Sequence, residues 1–295
     1  AALVAVLLGA AAGVLVLLPT TMLLFPAMGM NLAGAGGFVA VLLGLAVLPV
    51  VDLLHPAAGG QRGMDAVRAR RSGGLPTLAA ALAAIAFAAM GLYTDRFDAE
   101  HPAPTQLMYA LDTDSNSARW MTLESKPQPW TAQYVHGSPG EITDTFPAFA
   151  GDRLITGPAT AAALPAPELT VVSDTRSGAT RTLRLRLVPK RPVRMVTLHV
   201  AADAGVTAAA VAGRPVPVDR SAGGPWGFGF AFHAPPAGGV EVALTVRAQG
   251  PIRFRAMDAA DGLGALPGFR PRPPDVGIRG DHSSEMVAVA RTYTV

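Results

Sequence analysis

The stretch Leu75–Tyr93, LPTLAAALAAIAFAAMGLY, decides how the rest of the chain is read. Its 19 residues carry no charge, enough as a helix to cross a hydrocarbon core of ~30 Å. A core helix of a globular protein rarely runs so far without a polar face. Arg68-Ala69-Arg70-Arg71 precedes it, and Asp95, Asp98 and Glu100 follow. Arginines at one end of a span hold that end in the cytoplasm, and Tyr93 suits the outer lipid–water boundary. The sequence thus predicts membrane before residue 93 and a water-facing domain after it.

Two more apolar runs lie upstream. Ala1–Leu18 is uninterrupted and continues past Pro19 to Phe25; Thr20 and Thr21 can bond carbonyls freed by the proline, so a kinked span over about 1–25 is expected. Pro26–Gly37 reads as a turn, and 38–54 as a second span closed by Asp52 and His55. Intramembrane acids mark functional sites by default, but Asp52 lies next to the arginine loop and reads as a headgroup-level residue. The loop His55–Gly74, with Arg62, Arg68, Arg70 and Arg71 against Asp65, is placed in the cytoplasm. Counting spans from there puts 94–295 on the extracytoplasmic, periplasmic side.

Half the residues are hydrophobic and 15% are charged, below the ~25% of a soluble domain. A net charge of +3 and a pI near 9.7 invite a nucleic-acid reading. The distribution argues against it: residues 94–295 hold 20 basic and 19 acidic side chains, so the arginine loop sets the net charge and no phosphate-binding face is implied. Cysteine is absent, which excludes disulfide scaffolds and thiolate metal sites. The first residues are apolar, without a basic n-region or cleavage site, so residue 1 is expected to lie inside a longer protein.

Beyond a linker at 94–105 the period changes to two. Thr182-Leu183-Arg184-Leu185-Arg186-Leu187 alternates apolar and polar side chains, the mark of a half-buried strand. Similar runs occupy Gln106–Leu111, Leu169–Val172, Met195–Val200, Trp226–Phe232, Val240–Val246, Ile252–Met257 and Met286–Thr294. Turn signals such as Ser177-Gly178, Gly223-Gly224-Pro225 and Gly238-Gly239 separate them. Many short strands at such spacing predict an antiparallel sandwich of immunoglobulin or jelly-roll type over 106–295. Pro129–Tyr134 is expected as a short helix and Gly262–Pro274 as a loop. The predicted fold class is three transmembrane helices (about 1–25, 38–54 and 75–93) followed by this all-β domain.

Candidate chemistry is sparse. Asp112-Thr113-Asp114-Ser115-Asn116 imitates a calcium loop, but the sixth and twelfth positions are Ser117 and Leu123, where Gly and Glu are required; a polar hairpin turn fits better. Asp281-His282-Ser283-Ser284-Glu285 joins an imidazole to two carboxylates, yet His55, His101, His136, His199 and His233 are scattered without ligand spacing. A polar turn before the last strand is the expectation there, and His199 reads as a strand residue. Trp226-Gly227-Phe228-Gly229-Phe230 is either an aromatic binding face or close packing over glycines; close packing is expected. No nucleophile elbow, zinc helix motif or phosphate loop occurs.

Three patches resemble a known family. They are Tyr109–Asp114 with Ala118-Arg119-Trp120 and Trp130; Asp261-Gly262-Leu263 with Leu266-Pro267 and Arg272-Pro273-Pro274-Asp275; and Val287–Thr294. Together they resemble the C-terminal region of the membrane-bound peptidase M28 family, bacterial relatives of the endoplasmic-reticulum metallopeptidases. The resemblance implies a zinc exopeptidase domain N-terminal to this chain, then membrane helices, then a β domain. Zinc, its ligands and the general base would lie in that missing domain. No residue here inherits a catalytic, cofactor-binding or metal role.

The first expectation is thus the C-terminal, non-catalytic portion of a zinc-dependent exopeptidase, with the lipid bilayer and its own N-terminal peptidase domain as partners and no nucleic acid. The alternative is a non-enzymatic, membrane-anchored β-sandwich binding an extracytoplasmic partner or glycan. A transporter fragment, supported only by Asp52 and the Pro19 kink, is a third.

Overall fold

The structure is a computed structural model describing residues 2–28, 38, 39, 41–45, 82, 85, 86, 89, 97–218 and 224–295. The chain divides into two compact units, Ala1–Asp95 and Arg96–Val295.

In the first unit, α1 (Ala2–Met28) is a continuous helix of 27 residues. Pro19 lies within it, and Thr20 Oγ1 donates to the Val16 carbonyl at 2.6 Å. This is the ordinary i−4 back-bond of a helical threonine; the carbonyl freed by Pro19 is that of Leu15. The helix runs on through Pro26, where a turn was expected. Its described side chains are those of Leu8–Thr20 and Met22. Among the described residues no helix is long and apolar enough to cross a membrane. The expected fold class of three transmembrane helices before the β domain is corrected on this finding, and with it the integral-membrane, periplasmic placement. The described protein is predominantly β. Asp52, His55 and the arginine loop lie outside the described residues, as do most of 38–54 and 75–93.

The second unit contains fifteen strands: β1 (Ala103–Thr105), β2 (Met108–Asp112), β3 (Ser117–Thr122), β4 (His136–Gly140), β5 (Leu154–Ala159), β6 (Glu168–Ser177), β7 (Thr180–Val188), β8 (Met195–Ala201), β9 (Val206–Val211), β10 (Arg214–Val216), β11 (Trp226–His233), β12 (Val240–Val246), β13 (Arg253–Asp261), β14 (Val276–Ile278) and β15 (Met286–Thr294). They form an eight-stranded sheet, β11-β8-β13-β15-β2-β3-β5-β4, a five-stranded sheet, β10-β9-β12-β7-β6, and the pair β1-β14. The expected purely antiparallel pattern is also corrected: β15 pairs with β2 in parallel, as β1 does with β14. The C-terminal strand is thereby laid beside the first long strand of the unit.

Period two explains the layers, because alternate residues face opposite sides. In β7, Leu183, Leu185 and Leu187 are fully buried and Arg184 and Arg186 are exposed. The leucines meet Val196, Leu198 and Val200 of β8 and Phe254 and Ala256 of β13 in one core between the five-stranded sheet and half of the larger sheet. On the other half, Tyr109, Leu111, Val287 and Val289 pack with Trp120, Trp130 and Tyr134 under Leu263 and Leu266. The register rows Phe254–Tyr293, Asp258–Val289, Val287–Tyr109 and Tyr109–Trp120 place these two clusters on the same face of the large sheet. The opposite face carries Met108, Ala110, Met121, Met257 and Ala288, covered by Phe146 and Phe149 at a 3-10 turn, Pro147–Phe149. Pro129–Tyr134, expected as a short helix, holds a 3-10 turn at Thr131–Gln133.

This packing predicts two opposite outcomes on neighbouring residues. Leu185→Asp buries an unpaired charge in the inter-sheet core and is expected to cost at least about 4 kcal/mol. Arg184→Ala, on the solvent face, is expected to stay within about 0.5 kcal/mol. Urea unfolding of each variant measures both; equal midpoints would contradict the assignment of faces.

Candidate functional site

The calcium-like sequence becomes the tip of the β2–β3 hairpin, and its acids serve an arginine. Arg255, buried on β13, donates from Nη2 to Asp112 Oδ1 at 2.8 Å and from Nη1 to Asp114 Oδ2 at 2.7 Å and Thr292 Oγ1 at 3.0 Å. Its Nε reaches the Thr145 carbonyl at 2.9 Å. Asp112 Oδ2 accepts from Ser115 Oγ at 2.6 Å, and Asp114 Oδ2 also accepts from the Thr292 amide at 2.8 Å. Burial pushes the Asp112 carboxyl up; the Ser115 and Arg255 hydrogen bonds with the guanidinium charge outweigh it and hold the group below the usual carboxylate range. These carboxylates are committed to a buried cation and leave no cage for a metal.

The Asp281–Glu285 cluster also comes apart. Asp281 Oδ1 accepts from Ser283 N at 2.9 Å and Oγ at 2.7 Å, and from Ser284 N at 2.8 Å and Oγ at 3.1 Å. Burial raises this carboxyl, and the bonds from Ser283 and Ser284 more than offset it, so it lies low. A carboxylate so stabilised is a weak base for either serine. Glu285 turns to Arg272, whose guanidinium also lies 4.2 Å from the Trp130 ring centre. His282 is exposed. Among the described residues no three His, Asp or Glu side chains gather as a metal site.

His199 is a strand residue of β8, but a deeply buried one. It pairs across the sheet with Gly229, where a Cβ would stand 2.1 Å from His199 Cδ2; only glycine admits the ring. Gly227 is equally constrained by Ala202 at 2.9 Å. The alternating glycines of Trp226–Phe230 therefore allow close approach of side chains, while Phe228 enters the core. His199 Nδ1 is buried without a partner, and burial pushes the imidazole down to about 4.

A second buried titratable group has no counterpart in the sequence reading. Asp258 lies on the core-facing side of β13, in register with Val196 and Val289. Its Oδ1 accepts from Arg191 Nε at 3.1 Å and Nη2 at 2.6 Å, while Oδ2 is buried with no partner among the described residues. Burial, against the opposing Arg191 charge, lifts the carboxyl to about 6. Arg191 Nη2 also donates to the Val287 carbonyl at 2.9 Å. The sequence carried a faint signal: in Phe254-Arg255-Ala256-Met257-Asp258-Ala259-Ala260, an acid falls on the same parity as Phe254 and Ala256. Ending the strand at Met257 lost it.

Arg191 lines a groove of about 490 Å³ between Thr160–Leu164 and Asp261–Pro267. The Tyr109 hydroxyl donates to the Thr160 carbonyl at 2.9 Å and accepts from the Ala162 amide at 2.8 Å, fixing one wall from behind. At the rim Asp261 pairs with Arg194 Nη1 at 2.8 Å. A second hollow of about 540 Å³, by Arg119, Glu141–Thr145 and Gly224, is mainly loop backbone. A third, by Arg184 and Glu241 outside the five-stranded sheet, is about 90 Å³. The Arg184 hollow also joins a cation to apolar side chains but is too small for a ligand; the Arg191 groove has both that lining and the volume of a ligand site.

The two buried groups act on stability with opposite signs. Asp258 binds its proton more tightly when folded, so its contribution is present at low pH and lost as pH rises from 3.8 to about 6. His199 binds its proton less tightly when folded, so its contribution is present above pH 6.5 and lost as pH falls to about 4. Each difference corresponds to about 3 kcal/mol, and between pH 4 and 6 the two slopes oppose. The unfolding midpoint of the parent is expected to be nearly flat there. Asp258→Asn should make stability rise with pH, and His199→Gln should make it fall. Urea midpoints against pH measure this; flat profiles in both variants would refute it.

No family model matches the chain, and no curated protein matches it. Among solved structures the chain is similar to "Structure of the N-terminal domain of PorA", at 7% identity over 42% of this chain and 84% of that one. The TM-score is 0.17, and a likeness of that size bears on neither fold nor function.

Proposed function

We propose that Arg96–Val295 is a non-catalytic β-sandwich module of a zinc-dependent exopeptidase, working beside a peptidase domain of the same protein outside this chain. What supports the reading is the convergence of the three patches that carry the resemblance to the M28 peptidases. Far apart in sequence, each sends residues into one cluster: Tyr109, Leu111, Trp120 and Trp130 from the first, Leu263 and Leu266 from the second, Val287 and Val289 from the third, joined there by Tyr134 and Phe269. Tyr109 and Trp120 lie 5.3 Å apart, Trp120 and Tyr134 5.0 Å, and Trp130 and Phe269 5.9 Å between ring centres. Leu263, Leu266, Val287 and Val289 pack against these rings. Such edge-on aromatic contacts add stability beyond the area they bury, so the shared residues act as a folding signature and supply no chemistry. In this role zinc belongs to the peptidase domain, and the module supplies a rigid packing surface.

Two measurements test the reading. The coding sequence upstream of Ala1 is expected to specify a His/Asp/Glu zinc constellation; a start codon directly before Ala1 would sink the proposal. The purified chain is expected to hold no stoichiometric zinc and to release no product from aminoacyl p-nitroanilides. One tightly bound zinc per chain, lost on His282→Ala, would make the Asp281–Glu285 turn a site and overturn it.

A further inference from the structure

The Arg191 groove has donors that the fold does not use. Arg191 places Nε and Nη2 on Asp258 and the Val287 carbonyl; Nη1 has no hydrogen bond among the described residues. Arg194 Nη2 is buried without a partner, and its Nη1 holds Asp261, which keeps that carboxylate from repelling an anion at the rim. The backbone adds two more donors. The segment Thr160–Leu164 leaves β5 at Ala159 and bends, the Leu164 amide donating to the Ala162 carbonyl at 2.8 Å. The Tyr109 hydroxyl takes the Thr160 carbonyl and the Ala162 amide on one side. The amides of Ala161 and Ala163 are left without a partner among the described residues. The rest of the lining, Leu164, Ala265, Leu266, Pro267 and Val287, is apolar.

We propose that this groove binds the C-terminal end of an extended apolar peptide. Its carboxylate is taken by Arg191 Nη1, its backbone carbonyls accept from the amides of Ala161 and Ala163, and its terminal side chain lies against Leu164, Leu266 and Val287. A guanidinium is the strongest carboxylate receptor among the side chains, and carboxylate capture is a recurring way to hold a peptide end. The volume of about 490 Å³ suits one or two residues. A free apolar acid shares the carboxylate but has no further carbonyls to accept from these amides, so the unpaired Ala161 and Ala163 favour the peptide. The inference goes beyond the accessory role proposed above and holds whether or not a peptidase domain adjoins the chain.

The test is fluorescence anisotropy of the full chain with a labelled Ala-Ala-Val-Leu peptide, either as the free carboxylate or as the C-terminal amide. The carboxylate is expected to bind at least about tenfold more tightly, the effect of one charge-assisted hydrogen bond. Because Arg191→Gln alone would strand Asp258, the charge is removed as the pair Arg191→Gln with Asp258→Asn; the preference for the carboxylate should then vanish. Ala163→Pro removes one amide and leaves Arg191 untouched. It should weaken both peptides severalfold while keeping the preference. Equal binding of carboxylate and amide would overturn the proposal. So would octanoate competing as well as the peptide, or no binding at all. If the double variant fails to fold, the parent's carboxylate–amide comparison and Ala163→Pro still decide.

Discussion

Arg255 holds the β unit together. One buried guanidinium joins β13 to the β2–β3 hairpin through Asp112 and Asp114, to β15 through Thr292, and to the loop before Phe146 through the Thr145 carbonyl. A cation with 3% of its surface exposed would be ruinous unpaired. It is tolerated because all three of its nitrogens find acceptors in fixed geometry, and that requirement aligns the elements that supply them. The parallel seam between β15 and β2 runs from Val287–Tyr109 to Ala290–Asp112 and ends at this arginine's acceptors. The closure of the large sheet by its C-terminal strand thus depends on residues that, in sequence, look like half a calcium loop.

Acids that might have served chemistry are consumed in the same way elsewhere. Asp281 organises a turn, Glu285 steadies Arg272 over Trp130, and Asp174 anchors the buried Arg181 at 2.8 Å. A carboxylate stabilised by several donors is a poor base and a poor ligand. Asp258 is the contrast, because one of its oxygens has no partner among the described residues and its arginine faces a groove. Burial, against the charge of the paired Arg191, holds the carboxyl at about 6.

The strands that were legible share one property, a bulky apolar residue at every second position: Leu183, Leu185 and Leu187 in β7, Val196, Leu198 and Val200 in β8, Val240, Val242, Leu244 and Val246 in β12, Val287 and Val289 in β15. β7, β8, β12 and β15 are of this kind, since period two and β-branched or leucine side chains leave one arrangement with a dry face. β5, LITGPA, and β9, VTAAAV, were not legible. Their alanines, glycine and proline hardly separate an inside from an outside, and they are strands because neighbours supply the ladder. Gly157 shows the constraint, for a Cβ there would meet the Tyr134 carbonyl oxygen at 2.0 Å.

The sequence by itself determined the three apolar runs of the first 93 residues and the arginine loop between the second and third, the change to period two beyond residue 105, and the polar turn at Asp112–Asn116. All three follow from local composition and short-range alternation, which need no knowledge of distant partners. It did not determine a membrane crossing: among the described residues no helix is long and apolar enough to make one. Only the tertiary structure decided that β15 lies parallel to β2, that Arg255 takes Asp112 and Asp114, and that Arg191 meets Asp258 at a groove. Those pairings join residues 67 to 178 positions apart. Burial makes them obligatory, since a charge removed from water must find its partner wherever the fold places it.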